Sequence, residues 1–154
     1  MLSIAGKVVG NGAAEYLAPG FVPDELEAFI QPIRQGCMVL THNGPRYDLP
    51  FLNGTLIRLG LAPLPRLLVT DTYAHLPKRG AAFSASLANM TRRFEVKHQK
   101  LQMSEYEWDL AYQGDPDALV KLRTYNIGDV AATIALWEKL RSLRLLGSPR
   151  WWSP

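Results

Sequence analysis

Two short apolar runs with a helical pattern between them constrain the fold of this chain most. Cys37 to Leu40 reads as a buried strand, and Leu67-Leu68-Val69 as a second one ending at Asp71. Between them Phe51, Leu52, Leu56, Ile57 and Leu59 mark an amphipathic helix that stops at Gly60. Strand, helix and strand joined by connections of this length predict parallel pairing within an α/β layer architecture.

The flanking elements follow from similar signals. Leu2 to Val9 and Ala13 to Leu17 read as two strands, with Gly10-Asn11-Gly12 supplying the positive backbone angles of a hairpin turn. Asp24 reads as a helix cap before Leu26, Phe29, Ile30 and Ile33, with Pro32 bending the last turn ahead of Gly36. Ser86 to Phe94 forms a short helix, and Ser104 with Glu107 has the spacing of a capping box for another through Tyr112. Asp115 caps the last helical run, Pro116 takes its first position, and Gly128 predicts a kink or a junction inside it. Residues 1–146 are read as one domain and 147–154 as a C-terminal tail, in which one or both of Trp151 and Trp152 are expected to fold back over an apolar edge of the helices rather than to stack on bases or contact a partner.

The chemistry concentrates in two segments, His42-Asn43-Gly44-Pro45-Arg46-Tyr47-Asp48 and Tyr125-Asn126-Ile127-Gly128-Asp129. Asp48 falls just past a strand end where a helix begins, and a spacing of four stacks Tyr125 and Asp129 on one helix face. Taken singly, Asp48 also suits a helix start and Asp129 a solvated helix surface. Converging, an acid and a phenol facing the acid of a strand-end loop are a means of holding a divalent metal and water at a phosphodiester.

The pattern His-Asn-x-x-x-aromatic-Asp followed far downstream by Tyr-x-x-x-Asp resembles motifs two and three of the DnaQ-like (DEDD) 3′–5′ exonucleases, in the branch that carries tyrosine. It is also similar to small exonucleases encoded by phages. The resemblance runs from about Met1 to Leu143 and implies an RNase H-like fold, a mixed sheet flanked by helices. It implies metal-dependent hydrolysis at the 3′ end of DNA or RNA, with Asp48 and Asp129 as ligands of Mg2+ or Mn2+ and Tyr125 orienting the attacking water. Asn43 would lie near the nucleic-acid groove, where it equally suits a turn; His42 would lead the motif, or bond local backbone. Asp71 would support the site without binding metal.

Members of that family open with a strand carrying Asp-x-Glu, and this chain has no Asp-x-Glu. Leu2 to Val9 resembles the family's second strand instead, so two of four metal carboxylates and the first strand are missing from the pattern. Three accounts stay open: an upstream segment, a degenerate relative, or another chain supplying the missing elements. A sheet without that strand leaves open edges, predicting homodimerisation through them or a rearranged strand order. The alternative to an exonuclease is a catalytically inactive module that binds nucleic acid or a protein partner; the blandest reading is an α/β domain with accidental motif matches.

Composition sets bounds on these readings. A chain of 154 residues, 47% apolar and 20% charged, fits one soluble domain. A net charge of +3 permits a nucleic-acid partner without demanding one. Lys78, Arg79, Arg92, Arg93, Lys97 and Lys100 gather in the middle third, and Arg92, Arg93 and Lys97 are candidate phosphate contacts, although a charge run of this kind is usually a solvated surface. The single Cys37, read as a buried core thiol, forms no internal disulfide, which fits a reducing cytoplasmic location, the host's if the gene is a phage's. No apolar stretch is long enough to span a membrane.

Overall fold

The computed structural model describes residues 4–9, 15–17, 22–74, 84–97 and 102–154. The hairpin turn expected at Gly10-Asn11-Gly12 and the cationic residues Lys78, Arg79 and Lys100 lie outside them. In chain order the elements are β1 (Ile4–Gly6), β2 (Glu15–Leu17), α1 (Pro23–Arg34), β3 (Val39–Thr41), α2 (Asp48–Arg58), β4 (Leu67–Asp71), α3 (Leu87–Arg93), α4 (Glu105–Gln113), α5 (Pro116–Ser142) and β5 (Arg150–Trp152).

The strand-helix-strand expectation holds. β3 pairs parallel with β4 in the register Val39↔Val69, Leu40↔Thr70 and Thr41↔Asp71, with α2 as the crossover. Strand alternation then sends Val39, Leu67 and Val69 to one face, where they meet α1 and α2 through Leu26, Ile30, Leu49, Leu52 and Leu56. Leu26, Ile30 and Leu56 are wholly buried, and each contributes about 2 kcal/mol of apolar burial. Arg34 ties this layer to the loop before β4, pairing with Glu27 at 2.5 Å and donating to the carbonyls of Ala62 at 2.6 Å and Pro63 at 3.0 Å.

Helix α5 is the spine of the other half. Ala132, Leu136 and Leu140, one turn apart, pack on Leu87 and Met90 of α3, while Ala118 and Leu122 pack with Ala111 of α4. The capping box of α4 is formed on both sides, with Ser104 Oγ accepting from Glu107 N and Glu107 accepting from Ser104 N. Asp115 caps α5 through the backbone N–H of Ala118 at 2.9 Å, ahead of Pro116. The helix runs unbroken through Gly128, so the expected junction is absent: the propensity loss of one glycine, about 1 kcal/mol, is outweighed by packing against β1, β2, β3, α3 and α4.

Four further expectations are corrected. Helix α1 starts two residues earlier than an Asp24 cap would place it, with Val22 at the cap position and Pro23 opening the helix. Cys37 is exposed rather than buried. The chain leaves α1 through Gly36 in the left-handed region (φ 89°), and Cys37 N–H is spent on the carbonyl of Pro32 at 3.0 Å, so the strand begins only at Val39. Residues 150–152, read as tail, form the third strand of the main sheet, antiparallel to β4. Finally, the sheet is divided. β1 and β2 make an antiparallel pair of their own, β3, β4 and β5 make a separate three-stranded sheet, and both lie against α5.

Candidate active site

The parallel register places Thr41 beside Asp71, and the site grows from that pairing. Asp71 is buried, and its Oδ1 accepts the hydroxyl of Thr41 at 3.3 Å and the backbone N–H groups of Asn43 at 2.6 Å and Tyr73 at 3.3 Å. Asn43 adopts a left-handed conformation (φ 67°), which turns its N–H toward that carboxylate. The loop next closes on itself, with Leu49 N–H donating to the carbonyl of Gly44 at 2.9 Å. Gly44 is there for space: a Cβ would sit 2.5 Å from Cβ and Cγ2 of Thr41.

His42 is built into the scaffold on both ring nitrogens. Nδ1 lies 2.8 Å from Thr72 Oγ1 and Nε2 lies 2.9 Å from the carbonyl of Ala85, with Tyr73 edge-on against the ring at 5.7 Å. A carbonyl only accepts, so Nε2 carries a proton. The ring thereby pins the entry to α3 against the motif loop, an arrangement closer to the backbone-bonding alternative than to a residue turned to substrate.

Asp48 opens α2, whose cap residue Tyr47 makes no side-chain cap bond. The residue keeps solvent on one side, yet its carboxyl is raised above the ordinary value, first by desolvation and then by the negative charges of Asp71 and Asp129. The charges of Asp71 on β4 and of Asp129 on α5 thus both act on the Asp48 carboxyl at the start of α2. Oδ1 of Asp129 is shut off from solvent. Tyr125 lies one turn before Asp129, half-buried, with Trp108 of α4 edge-on at 5.4 Å and an interplanar angle of 79°.

The cationic candidates sit apart. Arg92, Arg93 and Lys97 are exposed at the end of α3, about 10 Å of helix away from the Ala85 contact to His42. Arg92 donates to Asn89 Oδ1 at 2.9 Å, and both arginines stand in the last turn, where positive charge suits the helix dipole.

As a donor set for a hard cation, Asp48 and Asp129 bring carboxylates from neighbouring elements, and crowding of negative charge at Asp48 is what a divalent ion relieves. Among the described residues no group of three or more His, Cys, Asp or Glu is disposed to hold a metal. Two carboxylates alone would leave most of the water on any ion they held. Thr41, Gly44 and Thr72 were not singled out from sequence, and their one legible signal is position, at the strand ends and in the turn beside the acidic residues.

A family model described as the RNase_H superfamily matches residues 13–141. The chain belongs to the RNase H superfamily. No curated protein matches it. The match spans β2 through α5, including both acidic segments, and agrees with the α/β architecture of a mixed three-stranded sheet flanked by five helices. No helix among the described residues is long and apolar enough to cross a membrane.

Proposed function

We propose that this RNase H superfamily chain acts on the 3′ end of DNA or RNA as a DnaQ-like 3′–5′ exonuclease of the tyrosine branch, hydrolysing phosphodiesters with Mg2+ or Mn2+. What supports this reading is that the charges of Asp71, at the C-terminal end of β4, and of Asp129 both act on the Asp48 carboxyl. A bound divalent ion supplies charge neutralisation and an acidified water. Asp48 and Asp129 would hold it, Asp71 keeps the Asn43 loop in register, and Tyr125, at the spacing of one turn from Asp129, would orient the water through its hydroxyl. The phage-type setting rests on the motif resemblance alone.

The test is release of mononucleotides from an end-labelled single strand with Mn2+, for the chain and for Asp129→Asn and Asp48→Asn. Loss of release in both variants is expected. An intact strand with the unaltered chain refutes hydrolysis by it.

A second reading is a nuclease-fold module that binds nucleic acid or a protein without turnover. It is supported by the two-stranded and three-stranded sheets, whose outer strands each have a single partner among the described residues and so offer edges to a partner, a second copy included. It expects affinity that falls as salt rises, with no cleavage.

A further inference from the structure

The two indoles at the end of the chain have opposite fates. Strand alternation in β5 turns Trp152 toward Leu67 and the α1–α2 core, where it is half-buried. Trp151 pairs with Leu68 on the other face and is 60% exposed. Trp152 packs on the core, while Trp151, across from Leu68, keeps most of its ring in solvent.

Trp151 is also dressed for a ligand. The guanidinium of Arg66 stacks on its ring at 4.6 Å from the centroid, which holds the ring in place and leaves surface for a second flat group. Arg66 is the cation placed at this ring, while Lys139, Arg141, Arg144 and Arg150 make the end of the chain basic in sequence. From residue 139 to the end the chain has no Asp or Glu. An exposed flat ring backed by one guanidinium, at a basic end of the chain, fits a polyanion whose units carry flat rings.

We infer that the β5 edge, Trp151 backed by Arg66, is a stacking platform for the bases of single-stranded nucleic acid, separate from the aspartate site. Arg66 meets the phosphates while a base lies on the indole. This deepens the reading of the chain as a nucleic-acid protein and rests on it. A paired duplex, whose bases are already stacked, cannot use the platform.

The experiment measures fluorescence anisotropy of a labelled oligothymidylate with the full chain under chelation of divalent ions, so that no strand is cut. Trp151→Ala is expected to weaken binding roughly tenfold or more, and Trp151→Tyr to retain most of it. Arg66→Gln should weaken binding and lower the salt slope by about one. Equal affinity of Trp151→Ala and the unaltered chain, equal affinity for a blunt duplex, or no affinity for the strand at all overturns the inference. So does a dimer that Trp151→Ala converts to a monomer, which assigns the edge to a second copy. Cleavage with Mn2+ combined with indifference to Trp151→Ala removes the platform and leaves hydrolysis standing; Trp151-dependent binding without cleavage removes hydrolysis and leaves the platform.

Discussion

Asp71 at the end of β4 accepts the backbone N–H of Asn43 at 2.6 Å, so the loop that carries the first acidic motif is held by the neighbouring strand as well as by its own helix. The same oxygen takes the Thr41 hydroxyl, and the left-handed turn at Asn43 exists to make this contact. Asp48 inherits its position from that clamp.

Replacing Asp71 by Ala leaves the N–H groups of Asn43 and Tyr73 without their acceptor. A loss of about 2 kcal/mol or more is expected, since bonds to charged acceptors are the strong class. Urea unfolding measures it, with a lowered midpoint at unchanged slope as the expected result. Asp71→Asn, which keeps an acceptor oxygen and removes the charge, should cost less and should let the Asp48 carboxyl fall toward its ordinary value.

Gly44→Ala places a methyl against Thr41 at a separation no folded protein tolerates without movement. The neighbour is the strand-end residue bonded to Asp71, so relief displaces the clamp itself. A destabilisation of about 1–3 kcal/mol is expected from such overpacking. Calorimetry of the variant, with Gly54→Ala as a control in open space on α2, separates this from ordinary glycine effects.

The strand-helix-strand unit was legible because period and punctuation agree there: Leu52 and Leu56 repeat on a helix, and Gly60 ends it. The capping box at Ser104 and the Asp115-Pro116 start were legible for the same reason, being local chemistry. Cys37 was not, because apolar character alone does not reveal that Gly36 and Cys37 serve to end α1. β5 was missed because three residues after a proline carry no periodicity; only its partner β4 makes them a strand. The acidic motifs were visible as residue types, whereas the field in which Asp48 sits with Asp71 and Asp129 is tertiary. That Arg92 and Arg93 finish a helix away from the loop follows from His42 fixing the start of α3 at Ala85, which no charge count reveals.

Glu107 joins two helices. It completes the α4 capping box and pairs with Lys121 of α5, and the Lys121 bond is the largest cause holding its carboxyl down to about 2, with the bonds to Ser104 next. A depressed carboxyl stabilises the fold above its unfolded value near 4.5 and loses that contribution as pH falls toward 2. The melting temperature should therefore drop over this window, and Glu107→Gln should drop less, because its amide carries no proton to gain. Ser104→Ala, which removes the cap hydroxyl, should cost about 1 kcal/mol at neutral pH.

Asp48 has the opposite sign. Its folded value lies above 3.8, so the folded chain binds the proton more tightly than the unfolded chain, and stability falls as pH rises from 3.8 through the folded value. Above that window the ionised carboxylate is a standing cost, set by desolvation and by the charges of Asp71 and Asp129. Asp48→Asn should consequently raise the melting temperature at neutral pH, and this gain should vanish below pH 3.8, where both chains are uncharged at the position. Added Mn2+ should raise the melting temperature of the unaltered chain, through relief of the same crowding, and should do little for Asp48→Asn. Thermal scans across pH, with and without the ion, check both halves; a variant no more stable than the original at neutral pH means that Asp48 does not feel its two neighbours.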